Sequence, residues 1–267
     1  MATPRIQSVD RAFSLLSCLV DAGGIGSLPA MATRCGLSVA TTHRLLATLE
    51  DLGAVIHIAP GKYRIGTTLF RLTDATSKDR LFAAAAEPSL QRIAKSIATT
   101  AHLGILDADC MVTYIAKATR AAHFPPTVIG SKLEAYCSGL GKVLLAALPA
   151  PDQAAYLAEG PFVPLTGRTI TDPAALMAEL AEVTRRGYAV DDGELFDDLR
   201  CVAVPIRDRT GQIVAALSAS GSSVQMPYAR LPEIAARLAQ HALEIGDKLY
   251  PAAPAPRPRK LTGEGMA

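Results

Sequence analysis

The sequence predicts an α+β protein of two domains, and three observations lead to this class. Between residues 27 and 52, apolar residues recur at helical spacing on either side of a glycine, which indicates two short helices. β-prone runs follow from residue 53, and from residue 99 such runs alternate with helical segments, as in helices packed on an antiparallel sheet. With 267 residues, of which 49% are hydrophobic, the chain has enough apolar material for a core in each domain.

The first of these patterns has the caps of a helix pair. Ser27 is the expected N-cap of one helix, with Pro29 in its first turn, and Gly36 suits the left-handed residue that ends it. Ser38 is the expected cap of the next helix. Two helices joined by a tight turn that contains glycine form a helix-turn-helix, a unit that enters a DNA groove. An ordinary surface helix hairpin has the same spacing.

The second helix of the pair has an apolar and a polar side. We expect the residues near 3.6-residue spacing to pack inward, namely Val39, Leu45, Leu46, Leu49 and Leu52. The outward face begins with short polar side chains and a cation. We therefore expect three of these residues to reach base edges, Thr41, Thr42 and Arg44, and two to contact the DNA backbone, Ser38 and His43.

A β-hairpin is predicted directly after the helix pair. Residues 53–58 and 62–65 are β-prone and flank a Pro-Gly turn, which makes a wing beside the second helix. Lys62 and Arg64 lie near its tip and are candidate contacts to DNA phosphates, as is Arg11. The formal net charge of the chain is only +2, so a nucleic-acid contact must rest on such local cations, and two copies would double them.

The cysteine pattern and the hydropathy exclude several classes of protein. The five cysteines are scattered, odd in number and without a C-x-x-C pair, so neither a disulfide framework nor a metal site is indicated. The N-terminus lacks the pattern of a signal peptide, and the apolar run Val143–Leu148 is too short to span a membrane. We therefore expect a cytoplasmic protein with no cofactor, no metal and no membrane partner.

The remaining pattern predicts the other elements and the domain limits. A first helix spans about Val9–Asp21, with an inward stripe of Val9, Ala12, Phe13, Leu16, Leu19 and Val20. Helix is expected over residues 67–97, with a break near Pro88. In the second domain we expect strands at residues 101–106, 111–116, 128–130, 188–191, 201–206 and 213–220, and helices at 138–148, 151–158, 173–186 and 227–250.

We expect domains at residues 6–67 and 81–250, a linker helix at 68–80 and a flexible tail at 251–267.

Two features of the second domain point to an anion-binding pocket. The helix that begins at Gly139 directs free backbone N–H groups at whatever precedes it, and a glycine there lets a carboxylate approach. Ser218 and Ser220 lie two apart on one strand, so both hydroxyls face the same side and can bind one ligand. Cys201 and Asp191 are further candidates for the pocket wall. Each has a structural alternative, as a small core cysteine, as exposed strand hydroxyls or as a turn carboxylate.

Specific motifs add to this interpretation. In residues 6–72 they are Ser8-Val9-Asp10-Arg11-Ala12, Gly36-Leu37-Ser38, Thr42-His43-Arg44-Leu45-Leu46, Leu49-Glu50-Asp51-Leu52-Gly53 and Tyr63-Arg64-Ile65-Gly66. In the second half they are Ile129-Gly130-Ser131-Lys132-Leu133, Gly139-Leu140-Gly141-Lys142-Val143-Leu144-Leu145-Ala146, Arg186-Gly187-Tyr188, Asp191-Asp192-Gly193-Glu194, and residues 199–206 and 215–218. With these motifs, residues 6–249 resemble the transcriptional regulators of the IclR family.

The resemblance implies a winged helix-turn-helix followed by a GAF-like α+β domain that binds a small organic acid, in a homodimer or homotetramer. It implies effector contacts at Gly139, Leu140, Asp191, Leu199, Cys201, Ser218 and Ser220 and, where the motifs align more loosely, at Leu133. Two positions depart from the family pattern: Tyr136 stands where many relatives have histidine, and Leu199 follows Asp198 where glycine is common. The tyrosine favours an aromatic or hydroxylated acid, with glyoxylate-sized acids as the alternative.

These features together predict a ligand-responsive repressor of a catabolic operon, which binds a double-stranded DNA operator and is controlled by a small organic acid, aromatic acids included. The alternative is a small-molecule-binding enzyme of GAF-like fold that uses Cys201 or a histidine, namely His102, His123 or His241. The spacing of these residues matches no nucleophile elbow, metal triad or phosphate loop, so we expect no catalytic residue.

Overall fold

The computed structural model describes residues 6–74, 78–120 and 127–251. The chain divides into two compact units, Met1–Ser77 and Lys78–Ala267, and the predicted α+β class is confirmed. Residues 252–267 of the predicted tail lie outside the described residues, and so does His123. The predicted domain limits, including those of the linker helix at residues 68–80, stay predictions.

The front unit, Met1–Ser77, combines a helix pair with a small sheet. Its elements are α1 (Gln7–Asp21), β1 (Ile25–Ser27), α2 (Leu28–Cys35), α3 (Val39–Asp51), β2 (Val55–Ala59), β3 (Lys62–Ile65) and α4 (Thr67–Asp74). The three strands are antiparallel in the order β1-β3-β2, so the hairpin gains a third strand that the sequence pattern did not indicate. The predicted helix pair and hairpin are confirmed.

The predicted caps of the helix pair are also confirmed. The Ser38 hydroxyl accepts a hydrogen bond from the Thr41 backbone N–H at 3.1 Å, and the Ser27 hydroxyl accepts one from the Ala30 N–H at 3.4 Å. Gly36 has a φ of 62°, a left-handed conformation that favours glycine. Because these bonds satisfy donors that a helix start otherwise leaves open, α2 and α3 begin close to the predicted positions.

The inward faces of α1 and α3 differ from the prediction. On α1 the predicted stripe is wrong at the exposed residues Val9, Phe13 and Val20, and the buried residues are Leu15, Cys18 and Leu19. On α3 the prediction is wrong at the exposed residues Val39 and Leu52, and the buried residues are Thr42, Leu46 and Leu49. Both helices carry apolar residues on more than one face, so their spacing alone leaves the inward direction open. Packing with α2 and the small sheet decides it.

The second unit, Lys78–Ala267, is a six-stranded antiparallel sheet with helices on both faces. Its strands are β4 (Thr100–Leu106), β5 (Val112–Thr119), β6 (Lys132–Leu133), β7 (Ala189–Asp192), β8 (Leu199–Arg207) and β9 (Ile213–Ser222). Its helices are α5 (Lys78–Ile97), α6 (Gly139–Leu145), α7 (Ala150–Ala158), α8 (Pro173–Arg186) and α9 (Leu231–Leu249). The strand order is β6-β5-β4-β9-β8-β7. No helix in the described ranges is long and apolar enough to cross a membrane.

Two predictions for this unit are wrong. Helix α5 continues through Pro88 without the predicted break. The buried Leu90 and its neighbours pack into the core, and this packing outweighs the cost of about 3 kcal/mol for a proline inside a helix. Residues 128–130 do not form a strand, because Gly130 lies in a turn with a φ of 88°, and the edge strand is Lys132–Leu133.

The sheet separates two cores. One face packs against α5 and α9 through residues such as Leu103, Val202 and Leu217. The opposite face packs against α6 and α8 through Ala203 and Ala216. Since successive residues of a strand point to opposite faces, positions 201, 218 and 220 lie on the face toward α6.

Helix α6 approaches the segment that precedes it at backbone contact distance. A Cβ placed on Gly141 would lie 2.1 Å from the carbonyl oxygen of Ala135, so this position has no room for a side chain. The Ser138 hydroxyl caps α6 and accepts a hydrogen bond from the Gly141 N–H at 3.0 Å. The first turn of α6 is therefore held closely against residues 135–138.

Gly141→Ala should destabilise the protein by about 1 to 3 kcal/mol or more, since either α6 or the preceding segment must move to admit the methyl group. Gly167→Ala is the matched control, because a Cβ there meets no atom within 4 Å. Urea unfolding followed by circular dichroism compares the two variants. Equal stability of both would contradict the close packing of α6.

Candidate functional site

The first turn of α3 forms one exposed polar surface of the front unit. Its exposed polar residues are Ser38, His43 and Arg44, with Thr41 half-buried. Thr42 differs from these residues, because it is 0% exposed and its hydroxyl donates to the Ser38 carbonyl at 3.0 Å. The predicted base contact by Thr42 is therefore wrong: this side chain belongs to the inner face of the helix.

Strand β3 adds two cations to the front unit. Lys62 and Arg64 are exposed, whereas Tyr63 between them is buried. The alternation of a strand puts both cations on the same side. Within the part of the chain that the structure describes, neither these two residues nor Arg44 has an ion-pair partner. Their charges are thus available to an anionic ligand such as a DNA phosphate.

Arg11 brings a further cation to this unit from α1. It is half-buried and lines, together with Thr41 and Arg44, a groove of about 590 Å³ between α1 and α3. The groove therefore places three of the predicted DNA contacts near one another. A capped helix that carries an arginine without an ion-pair partner, beside a strand that carries cations, is the arrangement of a winged helix-turn-helix. In such a unit the helix contacts bases in a DNA groove and the cations neutralise nearby phosphates.

In the second unit, the strand register aligns a row of polar side chains on the face toward α6. Asp191 pairs with Cys201, Cys201 with Ser220, and Ser220 with Thr100. Directly paired residues of antiparallel strands project to the same face with Cβ atoms about 5 Å apart. Ser218 lies two residues before Ser220 and shares this face. We call these five residues the polar row, and four of them are predicted effector contacts.

The first turn of α6 lies over the polar row. A Cβ placed on Gly139 would lie 3.1 Å from the Cys201 sulfur, and one placed on Gly104 would lie 3.0 Å from Cδ1 of Leu140. The backbone N–H groups of Gly139 and Leu140 belong to the first turn and have no partner within the helix. The structure therefore brings both predicted residues of α6 to the face that carries the predicted serines and Cys201.

Burial sets the charge states of the titratable groups in the polar row. Burial, together with the nearby charge of Asp191, raises the pKa of the Cys201 thiol to about 12, so this thiol is protonated at neutral pH. Burial also raises the pKa of Asp191 to about 7, although its carboxylate accepts a hydrogen bond from the Glu194 backbone N–H at 2.7 Å. Because nucleophilic catalysis by cysteine requires a thiolate, Cys201 is poorly suited to it.

Two further predicted effector contacts lie on other parts of the sheet. Leu199 is buried, and since it lies two residues before Cys201 on β8 it faces the same side. Leu133 is half-buried on β6, at the opposite end of the sheet from β7 and three strands from β9. The structure therefore places Leu199 beside the row and Leu133 on the edge strand, where it packs against the same core cluster as Leu140 of α6.

Sequence reasoning assigned no effector contact to two residues that the structure places at this site. His102 is buried and pairs with Ser218 across β4 and β9. Lys142 is buried on α6 and forms an ion pair with Glu194, which ties α6 to the loop after β7. The β-prone pattern predicts a strand around His102. Its position beside Ser218, however, follows only from the pairing of two strands that are far apart in the sequence.

Comparisons with known proteins agree with this geometry. Residues 8–56 match the family described as "IclR helix-turn-helix domain", and residues 74–247 match "Bacterial transcriptional regulator IclR C-terminal". The fold and these matches define the class of protein, a DNA-binding transcriptional regulator with an effector-binding domain. The chain belongs to the IclR family.

Similar proteins span nearly the whole chain. The HTH-type transcriptional regulator BhcR of Paracoccus denitrificans is 33% identical over 92% of this chain and 88% of its own length. The transcriptional repressor IclR of Escherichia coli is 30% identical over 91% of this chain and 90% of its own. The crystal structure of Thermotoga maritima IclR, 30% identical, has a TM-score of 0.59 over 92% of this chain and 99% of that one. These names are those of regulators and support the predicted regulator over the enzyme.

Arg44→Ala should weaken binding to a preferred duplex by about 1 to 3 kcal/mol and relax the preference at one base pair, since this arginine is exposed at the front of α3. Lys62→Ala should weaken the binding of all duplexes alike and reduce the slope of log affinity against log salt by about 1. Fluorescence anisotropy with duplexes that the wild-type protein selects from a random library, and with single-base variants of them, measures both effects. If the two variants changed the base preference and the salt dependence by equal amounts, the assignment of Arg44 to a base and of Lys62 to a phosphate would be contradicted.

Proposed function

We propose that this regulator is a repressor of a catabolic operon and that a small organic acid, aromatic acids included, controls its binding to operator DNA. The observation that carries the proposal is the buried polar row beneath α6, in which the Ser218 hydroxyl has no nitrogen or oxygen partner among the described residues and only the weakly bonding Cys201 thiol beside it. A buried hydroxyl without a strong partner costs up to about 1 to 3 kcal/mol, so a ligand that supplies this hydrogen bond recovers part of that cost.

The donors around the polar row suit a carboxylate. The hydroxyls of Ser218 and Ser220 can donate, the Cys201 thiol is a weak donor, and the backbone N–H groups of Gly139 and Leu140 lie in the first turn of α6, where a helix leaves its donors open. Gly139 lets the first turn of α6 lie directly over the row, because a Cβ there would come within 3.1 Å of the Cys201 sulfur. An organic acid satisfies several of these donors at once, which a purely apolar ligand does not.

The front unit supports binding as a homodimer or homotetramer. The four cations Arg11, Arg44, Lys62 and Arg64 give a single copy few phosphate contacts, and pairing two copies doubles their number. A twofold assembly reads a roughly palindromic operator whose half-sites lie about one helical turn, or a multiple of it, apart. The name of the Escherichia coli relative, a transcriptional repressor, supports repression as the output.

The test is duplex binding by the full chain with and without acids. We expect salt-dependent binding to selected duplexes, and a loss of affinity of at least about tenfold at a saturating concentration of an effective acid. Ser218→Ala should abolish the response to the acid and keep DNA binding. Ser96→Ala is the matched control, because this exposed α5 serine only donates to the Ile93 carbonyl, and it should keep both properties.

Two results would contradict the proposal. One is the absence of duplex binding at low ionic strength. The other is duplex binding that no member of a panel of short aliphatic and aromatic carboxylic acids changes. Either result would leave the family assignment in place and remove the acid-controlled repressor as its function.

The affinity for an effective acid should fall as the pH rises through about 7, the pKa of Asp191. Because burial raises this pKa, the neutral carboxyl predominates below that pH and can donate to the ligand carboxylate, whereas the ionised form repels it. Binding then takes up a proton, and linkage gives a loss of up to about tenfold per pH unit above the pKa. Titration calorimetry from about pH 6 to 9 measures this. Asp191→Asn should remove the pH dependence, and a pH-independent wild type would contradict the role of Asp191.

A further inference from the structure

His102 extends the polar surface beneath α6 onto β4, beyond the donors assigned to the carboxylate. It pairs across strands with Ser218, and its side chain is 3% exposed. The imidazole ring packs against the Tyr114 ring with the centroids 4.7 Å apart and the ring planes tilted by 38°, and Nε2 lies 2.8 Å from the Thr127 hydroxyl oxygen. The ring is thus held by an aromatic contact on one side and by a hydrogen bond at one nitrogen.

The other ring nitrogen lacks a partner. Nδ1 of His102 is buried, and among the residues that the structure describes nothing forms a hydrogen bond with it. The Ser218 hydroxyl, on the neighbouring strand and the same face, also lacks a nitrogen or oxygen partner among the described residues, with only the Cys201 thiol beside it. Buried polar atoms without partners are few in native proteins, so two of them side by side indicate a place for a ligand.

The charge state of His102 decides which ligand group fits Nδ1. Burial, with the nearby charge of Lys117, lowers the pKa of His102 to about 4, so the ring is neutral at neutral pH. A neutral ring carries a single N–H. We assign this hydrogen to Nε2, where the Thr127 hydroxyl can accept it, and this assignment makes Nδ1 a hydrogen-bond acceptor. A carboxylate oxygen is itself an acceptor and forms no hydrogen bond with this nitrogen, whereas a hydroxyl group can donate one to it.

We propose that His102 accepts a hydrogen bond from a hydroxyl group of the effector, which is therefore a hydroxylated carboxylic acid. The inference rests on the proposed function, because it needs an acid bound at the polar row. The carboxylate takes the donors of Ser218 and Gly139, and the hydroxyl lies against Nδ1 of His102. Tyr136 does not supply this contact, since its own hydroxyl already donates to the Val163 carbonyl at 2.8 Å.

The test compares acids that differ at one position only. The probes are propionate, lactate and pyruvate, which differ at C2, and benzoate, 4-hydroxybenzoate and 4-formylbenzoate, which differ at C4. Titration calorimetry with the full chain near pH 7.5 gives their affinities. We expect the hydroxylated member of at least one set to bind at least about tenfold more tightly than the other two members, because a site built around a polar contact discriminates against analogues that lack it.

Two variants locate this preference at His102. His102→Phe keeps a ring to pack against Tyr114 and removes both nitrogens, so the hydroxylated acid should lose its advantage over the other members of its set, with the affinity for the unsubstituted acid nearly unchanged. His102→Asn keeps a polar acceptor at about the distance of Nδ1 and should retain part of the preference. If circular dichroism shows that the phenylalanine variant is unfolded, the wild-type ratios and the asparagine variant decide the question.

The possible failures can be told apart. Three results would overturn the role of His102 and leave the acid site in place. The members of each set bind equally, the oxo or formyl acid binds more tightly than the hydroxylated acid, or His102→Phe loses the same affinity for all acids. If no probe binds wild-type protein that still binds DNA, the proposed acid response fails, and the inference about the hydroxyl group fails with it.

Discussion

The antiparallel pairing of β8 with β9 is the constraint on which the candidate effector site depends. It sets Cys201 opposite Ser220, and the next pairs along the two strands follow from it. A slip of one residue would turn the serines toward α5 and α9 and would bring apolar side chains beneath α6. The register is held by the opposite face, where Val202 and Leu217 are fully buried. The polar row is therefore supported by an apolar core on the other side of the same sheet.

The close approach of α6 completes this arrangement. Gly139 and Gly141 let the helix lie against the sheet and the preceding segment, because a side chain at either position would meet neighbouring atoms. The buried Lys142 pairs with Glu194, whose backbone N–H donates to the Asp191 carboxylate. Removing one partner of a buried ion pair typically costs several kcal/mol, so α6 and the loop after β7 are firmly joined. An acid bound at the polar row, as we propose, would therefore also lie against α6.

Features of the fold and of the site could be predicted from the sequence where the residues that determine them lie close together along the chain. The caps Gly36 and Ser38 act within a few residues, so the helix pair could be predicted from the pattern. The exposure of Val39 could not, since the face that α3 turns inward is decided by packing with other elements. The position of Ser218 beside Ser220 follows from strand alternation alone. His102 was assigned no binding role because its place beside Ser218 depends on strand pairing that no local pattern encodes.

An acid can control DNA binding only if it binds the free and the DNA-bound protein with different affinity. The most direct measurement is the affinity of one effective acid for the free protein and for protein saturated with a selected duplex. If the acid relieves repression, it binds the free protein more tightly, by the same factor by which it weakens duplex binding, a reciprocity that linkage requires. Equal affinity of the acid for both states would contradict control of DNA binding by this site.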